Sequence, residues 1–369
     1  MTEGLSEVGA LCHTLCAIHS PIGHEAAIAD AVQALAGARW PCLRLGNNLV
    51  FGGPTGTGRP LIALFGHLDT VPGDDAPPRI EGDRLVALGA ADMKAGLAIM
   101  LALMAEHAPG RGPLDLAFVF YDREEGPYRE NGLGPVLEAL SWKSRIDLAL
   151  CLEPSANRLQ LGCLGTLHAQ VSFAGRRAHS ARPWEGANAI HAAAPFLSAV
   201  TDRGIRDVHF AHRGRALVYR EVMSVTMAHG GTARNVVPDH FDLNVNFRFA
   251  PDRAAESACA LVQTLAGPAA TVTFTDVSPA GPVPADNPWV DRLIVELGLE
   301  PEPKQAWTDV ARLAEHGIPA VNLGPGEPSQ AHQRGEWTSL RTLDEGLALF
   351  RRLLSALPAE WRESARRDD

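Results

Sequence analysis

Three apolar runs each end in side chains able to bind a divalent cation. The run from Leu61 ends in His67 and Asp69, that from Leu114 in Asp122, Glu124 and Glu125, and that from Leu148 in Glu153. His332 follows a fourth run that starts at Pro319, and Asp92 opens a helix-like stretch after ALGAAD. Singly, each has an ordinary explanation: a lone His near a strand end is a satisfied polar residue, Asp92 is a helix N-cap, and Glu124–Glu125 is a solvated loop charge. Jointly, two His and three carboxylates without a thiol form a hard oxygen and nitrogen donor set suited to Zn, Co or Mn.

A carboxylate has two oxygens and can span two metals about 3.5–4 Å apart, whereas a neutral His ligates through one nitrogen. Two cations lower the pKa of a shared water and polarise an amide carbonyl, and a separate carboxylate then moves the proton to the leaving amine. Glu124 beside Glu125 meets that need, since neighbours in an irregular turn can point in different directions.

Such convergence requires elements that bring the run ends together. LIALFGH (Leu61–His67), LDLAFVFYD (Leu114–Asp122) and LALCLEP (Leu148–Pro154) are apolar enough to be strands buried on both faces. Asp92 to His107, rich in Ala and Leu without proline, reads as the helix between the first two. In a largely parallel sheet the carboxyl ends share one edge, where open α/β folds place their sites. From Thr166 the texture changes: HAQVSFAGR, VMSVTMAHG and FDLNVNFRF alternate apolar and polar residues as half-wetted antiparallel strands do, with a helix expected over Gly186–Val200. The expected organisation is therefore a discontinuous α/β domain over 1–165 and 278–369, with an α+β domain inserted over 166–277. Pro279, Pro282 and Pro284 mark the return. PAVNLGPG (Pro319–Gly326) and the helix Asp344–Ser355 complete the first domain.

With 33 Lys+Arg against 43 Asp+Glu, the chain has a net charge of −10. That balance argues against nucleic-acid and anionic-membrane partners, which need clustered basic charge. The most apolar helical stretch, Leu97–Ala105, is about half of the roughly 18 residues that a membrane span needs. The opening MTEGLSEVGALCHTL carries acid where a secretory signal carries positive charge, so a cytoplasmic location is expected. The six cysteines include no CxxC pair and are expected to be buried small hydrophobes. No G-x-S-x-G elbow points to a serine hydrolase.

The motifs G-H-L-D-T (Gly66–Thr70), A-A-D-M-K-A-G (Ala90–Gly96), Y-D-R-E-E (Tyr121–Glu125), C-L-E-P (Cys151–Pro154) and G-P-G…A-H (Gly324–His332) occur in the order and approximate spacing of one family. Across essentially its whole length the chain resembles the di-zinc aminoacylase and carboxypeptidase metallopeptidases. E-N-G-L-G (Glu130–Gly134), W-T-D-V-A-R (Trp307–Arg312) and G-I-P-A-V-N-L-G-P-G (Gly317–Gly326) narrow the resemblance to a branch that cleaves an N-succinyl amide. Deacylation of another N-acyl amino acid, such as N-acetylornithine, C-terminal trimming of a small peptide, and a non-catalytic metal-binding relative are the alternatives. Retention of Glu124 argues against the last.

The resemblance implies a zinc-peptidase-like catalytic domain and an inserted ferredoxin-like lid and dimerisation domain. It implies two divalent ions, Zn2+ first, with Co2+ or Mn2+ as alternatives: His67, Asp92 and Glu153 would hold one ion, and Asp92, Glu125 and His332 the other. Asp69 would hydrogen-bond the far nitrogen of His67, and Glu124 would be the general base. His179, in F-A-G-R-R-A-H-S-A-R-P, would stabilise the oxyanion, commonly in the partner subunit's site. Asn235, in G-G-T-A-R-N-V-V-P, and Arg248, in N-F-R-F, would contact a small N-acyl amino acid substrate, as would Thr308 and Gly324; Arg suits a carboxylate because its planar fork pairs bidentately. A homodimer formed through the inserted domain is implied as well. The chain departs from many relatives at Ala95, where a glycine is common, and Leu161–Thr166 lacks the arginines that better-known relatives carry there.

Overall fold

The computed structural model describes residues 4–56, 58–73 and 76–356, so the ends of the expected first domain, 1–3 and 357–369, lie outside the described residues. The chain divides into two compact units: Met1–Gly162, Pro284–Glu302 and Thr308–Asp369 make up the first, Cys163–Val283 and Pro303–Trp307 the second. The second unit is wider than the expected 166–277. Pro303–Trp307 joins it because Gln305 Nε2 donates to the Val218 carbonyl (2.7 Å), the Arg220 N–H donates to Gln305 Oε1 (3.1 Å) and Trp307 Nε1 donates to the Pro279 carbonyl (3.1 Å).

The first unit is built on an eight-stranded mixed sheet. Its centre is parallel: Leu61–His67 lies between Asp115–Tyr121 and Ile146–Cys151, and Ile146–Cys151 pairs in turn with Ala320–Asn322. All seven residues of Leu61–His67 and all seven of Asp115–Tyr121 are buried, which is what two-sided burial requires of the unbroken apolar runs. The register sets His67 opposite Tyr121, Phe65 opposite Cys151 and Cys151 opposite Asn322, so the strands end nearly level. Antiparallel strands flank this core at Asn48–Gly52 and Leu159–Leu161.

The expected helix from Asp92 begins later. The regular helix is Ala95–Glu106, buried from Ala95 to Met104, while Asp92 (φ −120°, ψ 93°) and Met93 (φ −133°, ψ 38°) are not helical. Asp92 is thus no N-cap, and its side chain is released for another task. The helix Leu340–Leu354 packs on Ala95–Glu106 and starts four residues before the expected Asp344, capped by Ser339, whose Oγ accepts the Thr342 N–H. Cys12, Cys16, Cys151 and Cys163 are buried as expected, but Cys42 and Cys259 are only partly so.

The second unit has a five-stranded antiparallel sheet, in the order Arg206–His212, Arg215–Gly230, His240–Phe249, Gly165–Ala174, Ala270–Ser278. Leaving aside the edge strand Arg206–His212, the connectivity is strand, helix, strand, strand, helix, strand, a ferredoxin-like arrangement. Leu167, Ala169, Val171 and Phe173 face Phe196, Val200, Ala258 and Val262 of the helices, while Gln170 and Ala174 point to solvent. The helix expected over Gly186–Val200 is two helices, Ala189–Ala192 and Ala194–Arg203, because Pro195 has no N–H to continue the first and suits the opening turn of the second. Glu221 is buried among Arg203, Arg206 and Arg253; hydrogen bonds from Arg206 and Arg253 draw its carboxyl down to about 2 despite burial. No described helix is long and apolar enough to cross a membrane.

Candidate metal centre

The level strand ends of the first unit bring the expected ligands together. His67, the last residue of its strand, is 1% exposed; its Nε2 lies 3.2 Å from Asp92 Oδ1. His332 Nε2 lies 2.8 Å from Glu125 Oε1 and 3.7 Å from Asp92 Oδ2. Two groups result, His67–Asp92–Glu153 and Asp92–Glu125–His332, each with ligand atoms within 4.8 Å of one another and with Asp92 common to both. A third group of the same compactness, His67–Glu124–Glu125, includes the expected base.

Electrostatics agree with a cation-binding role. Burial raises Glu124 well above the usual carboxylate range, and the neighbouring Glu153 and Glu125 raise it further. Burial also raises Glu125, and Asp92 adds to this. Desolvation works against a charged His67, yet Asp92, Glu124, Asp69 and Glu153 hold it well above its ordinary value; the Glu125 hydrogen bond pushes His332 up to about 9. Carboxylates and imidazoles so shifted are groups that a divalent ion would return to their deprotonated forms on binding. The donor set, all oxygen and imidazole nitrogen, fits the metal that the fold implies.

Backbone geometry explains how the candidate ligands are held. Asp69 meets the far nitrogen of His67 with its main chain and not with its carboxylate: the carboxylate accepts the N–H groups of Glu124 (3.0 Å, Oδ1) and Glu125 (2.9 Å, Oδ2), in a turn where Arg123 takes φ 58°. The far nitrogen of His67, Nδ1, is 3.0 Å from the Asp69 carbonyl oxygen and 3.7 Å from its carboxylate. A carbonyl only accepts, so Nδ1 carries a proton, and Nε2, which faces Asp92, is the nitrogen that would be left to ligate a bound ion. Asp69 therefore orients His67 through its main chain and the Glu124–Glu125 pair through its side chain.

Gly324 also differs from expectation. Its N–H donates to Ser155 Oγ (3.0 Å), and a Cβ there would lie 2.3 Å from the Leu152 carbonyl oxygen and 2.4 Å from that of Glu153. Only glycine lets this strand end pass so close, and its amide is engaged by Ser155, so Gly324 supports Glu153 and does not present an N–H to a ligand. Gly326 lies similarly against the Ala91 carbonyl, where a Cβ would be 2.2 Å away. Thr308 is buried just before the helix Val310–Glu315.

The motifs E-N-G-L-G and W-T-D-V-A-R prove to be one interlocked structure. Asn131 Nδ2 donates to Asp309 Oδ2 (2.9 Å), Arg312 Nε donates to Asp309 Oδ1 (3.0 Å) and Arg312 Nη2 donates to the Tyr128 carbonyl (2.6 Å), with the guanidinium 3.8 Å above the Tyr128 ring. This anchors the chain immediately after Glu125. A cavity of about 420 Å3 adjoins His332, with Val71, Leu88, Arg79 and Arg334 in its wall. Arg79 pairs with Glu81, whereas Arg334 has no ion-pair partner among the described residues.

The remaining expected residues belong to the second unit. His179 and Asn235 lie on adjoining segments: Ser180 N–H donates to the Asn235 carbonyl (3.0 Å), and His179 bridges to Val236. His179 Nδ1 accepts the Ala181 N–H (3.1 Å), so a neutral ring carries its proton on Nε2. Arg248 lines a separate cavity of about 480 Å3 with Leu164, Val218, Arg220, Val222 and Gln305. Sequence reasoning missed Glu336. This buried carboxylate accepts three main-chain N–H groups around Asp92, and its position four residues after His332, just beyond the last motif, was the available signal.

Two candidate ligand groups sharing one aspartate, at the carboxyl edge of the sheet's parallel centre, are an arrangement able to hold two divalent ions. The chain belongs to the peptidase family M20/M25/M40, whose pattern matches residues 63–356. It is 40% identical over 357 residues to a Mycobacterium tuberculosis protein provisionally named as a succinyl-diaminopimelate desuccinylase, covering 93% of this chain and 97% of that protein. It is 35% identical over 372 residues to the succinyl-diaminopimelate desuccinylase of Corynebacterium glutamicum, covering 96% and 99%. A tripeptidase structure from Staphylococcus aureus shares the fold at a TM-score of 0.74 and 22% identity, over 95% of this chain and 98% of that one.

Proposed function

We propose that the protein hydrolyses N-succinyl-LL-2,6-diaminopimelate to succinate and LL-2,6-diaminopimelate, a step of diaminopimelate and lysine biosynthesis in the cytoplasm. The two ligand groups sharing Asp92 support amide hydrolysis, and near-full-length similarity to proteins so named supports the substrate. His67, Asp92 and Glu153 would hold one zinc ion, and Asp92, Glu125 and His332 the other. Bound, the pair supplies an acidified water and a polarised carbonyl. Glu124 would take a proton from the attacking water as the water oxygen bonds to the acyl carbon, and deliver it to the leaving nitrogen as the amide C–N bond breaks. Asp69 holds Glu124 and Glu125 in orientation.

A succinyl arm ends in a carboxylate, and the cavity beside His332 offers the guanidinium of Arg334, which has no ion-pair partner among the described residues, to receive it. This favours a dicarboxylic acyl group over acetyl. The test is hydrolysis of N-succinyl-diaminopimelate beside N-acetylornithine and a dipeptide with zinc-loaded protein. The succinyl compound should have the highest kcat/KM; faster turnover of either competitor would reject the assignment.

The second unit would pair two copies, consistent with the exposure of Trp184, Ile190, Ile205 and Met227 on it. Asn235 and Arg248 would contact the substrate's backbone-like atoms and carboxylate. His179, with its proton on Nε2, would donate to the oxyanion. His179→Ala should lower kcat by about 10²–10³ with metal content unchanged, the scale of one lost oxyanion donor. Mixing His179→Ala with Glu124→Ala protein under conditions of subunit exchange should restore activity, because one site of the heterodimer keeps both groups. Confirmed exchange without recovery would show that His179 does not act across subunits.

A further inference from the structure

Glu336 is 2% exposed and lies just before the strand Trp337–Ser339, which pairs antiparallel with Arg84–Val86. Its Oε1 accepts the N–H groups of Ala91 (2.7 Å) and Asp92 (2.9 Å), and its Oε2 accepts that of Gly89 (2.9 Å). Its own carbonyl accepts the Ala87 N–H (3.0 Å). The clamped segment is irregular, with Gly89 at φ 74° and Asp92 off the helical region, and it cannot satisfy its amides as a helix interior does. A carboxylate is the side chain suited to this place: it only accepts, and its two oxygens can serve three donors.

We propose that Glu336 is a positioning residue for the metal centre, whose carboxylate fixes the Gly89–Asp92 segment so that the Asp92 oxygens face His67 on one side and His332 on the other. The segment 332–336 would then act twice, supplying His332 as a ligand and, one turn of chain later, holding the shared aspartate. Hydrogen-bonded partners of metal-binding carboxylates are worth about 10–100-fold in metal affinity. The inference rests on the metal reading above, and the experiment separates the two.

Zinc affinity of the metal-free full-length protein is measured by competition with a chromophoric chelator, together with the visible spectrum of the cobalt-loaded protein and the thermal midpoint without metal. Glu336→Gln keeps the size but turns an amide NH2 toward main-chain N–H groups. Glu336→Asp keeps the charge but shortens the reach. Both variants should fold with a midpoint near that of the parent, bind the weaker zinc about 10–100-fold less tightly, and give altered cobalt bands. Parent-like affinity and spectra in both would overturn the assignment. So would loss of the fold in both without metal, since Glu336 would then serve the core and not the ligand. A parent protein that binds no divalent ion would refute the metal reading itself.

Discussion

Chelation should reduce hydrolysis of N-succinyl-LL-2,6-diaminopimelate to background, and added zinc or cobalt should restore it. Asp92, Glu125 and Glu153 converge with His67 and His332 at the edge of one sheet, with Glu124 beside them. Burial and the neighbouring Glu153 and Glu125 shift Glu124 toward its protonated form, and Asp92, Glu124, Asp69 and Glu153 shift His67 the same way. Divalent charge at the two groups would reverse those shifts and leave Glu124 next to an acidified water. A second readout is independent of turnover: a ligand that binds only the folded chain stabilises it by about 2.7 kcal/mol at a hundredfold excess over Kd, so zinc should raise the thermal midpoint of the chelated protein. Full activity in protein shown by elemental analysis to be metal-free would end the metal-dependent reading.

The candidate ligands were legible because burial dictates sequence around them. Leu61–His67 and Asp115–Tyr121 are buried on both faces, so their composition announces strands, and whatever polar residue follows such a strand stands at the sheet's edge. Asp92 was legible as a residue but not as a conformation. The Ala- and Leu-rich stretch after it has strong helix propensity, yet the Glu336 carboxylate holds the segment open from 244 residues away, a tertiary effect that propensity does not contain. Asp69 and Gly324 show the same limit. Their residue types match the family, but which atom meets which neighbour depends on a turn at Arg123 and on the passage of one strand end over another. The boundaries of the second unit were blurred because Pro303–Trp307 joins it through Gln305 and Trp307, a five-residue return without periodicity of its own. Asn131, Asp309 and Arg312 were visible only as shared motifs. Their interlock, which ties the chain after Glu125 to the helix Val310–Glu315, depends on pairings across 178 and 184 residues.

Adjacent glutamates should separate cleanly on substitution. Glu124→Ala is expected to lower kcat by about 10²–10⁴ while both metals stay bound, since general-base catalysis contributes on that scale. Glu125→Ala is expected to lose one metal, because Glu125 belongs with Asp92 and His332 and lies 2.8 Å from the His332 ring. The two side chains leave the same turn, and Asp69 takes their main-chain amides in one grip, so neither substitution need disturb the other's backbone. Their distinct roles follow from which neighbours each carboxylate meets. The contrast matters because Glu124 also falls in a compact group with His67 and Glu125, which would make it a ligand. Metal stoichiometry decides between these readings. If Glu124→Ala retains two equivalents and only kcat falls, with KM little changed, Glu124 acts on the water and not on the ion. Equal metal loss in the two variants would assign Glu124 to the ligand set, and the proton would then need another carrier.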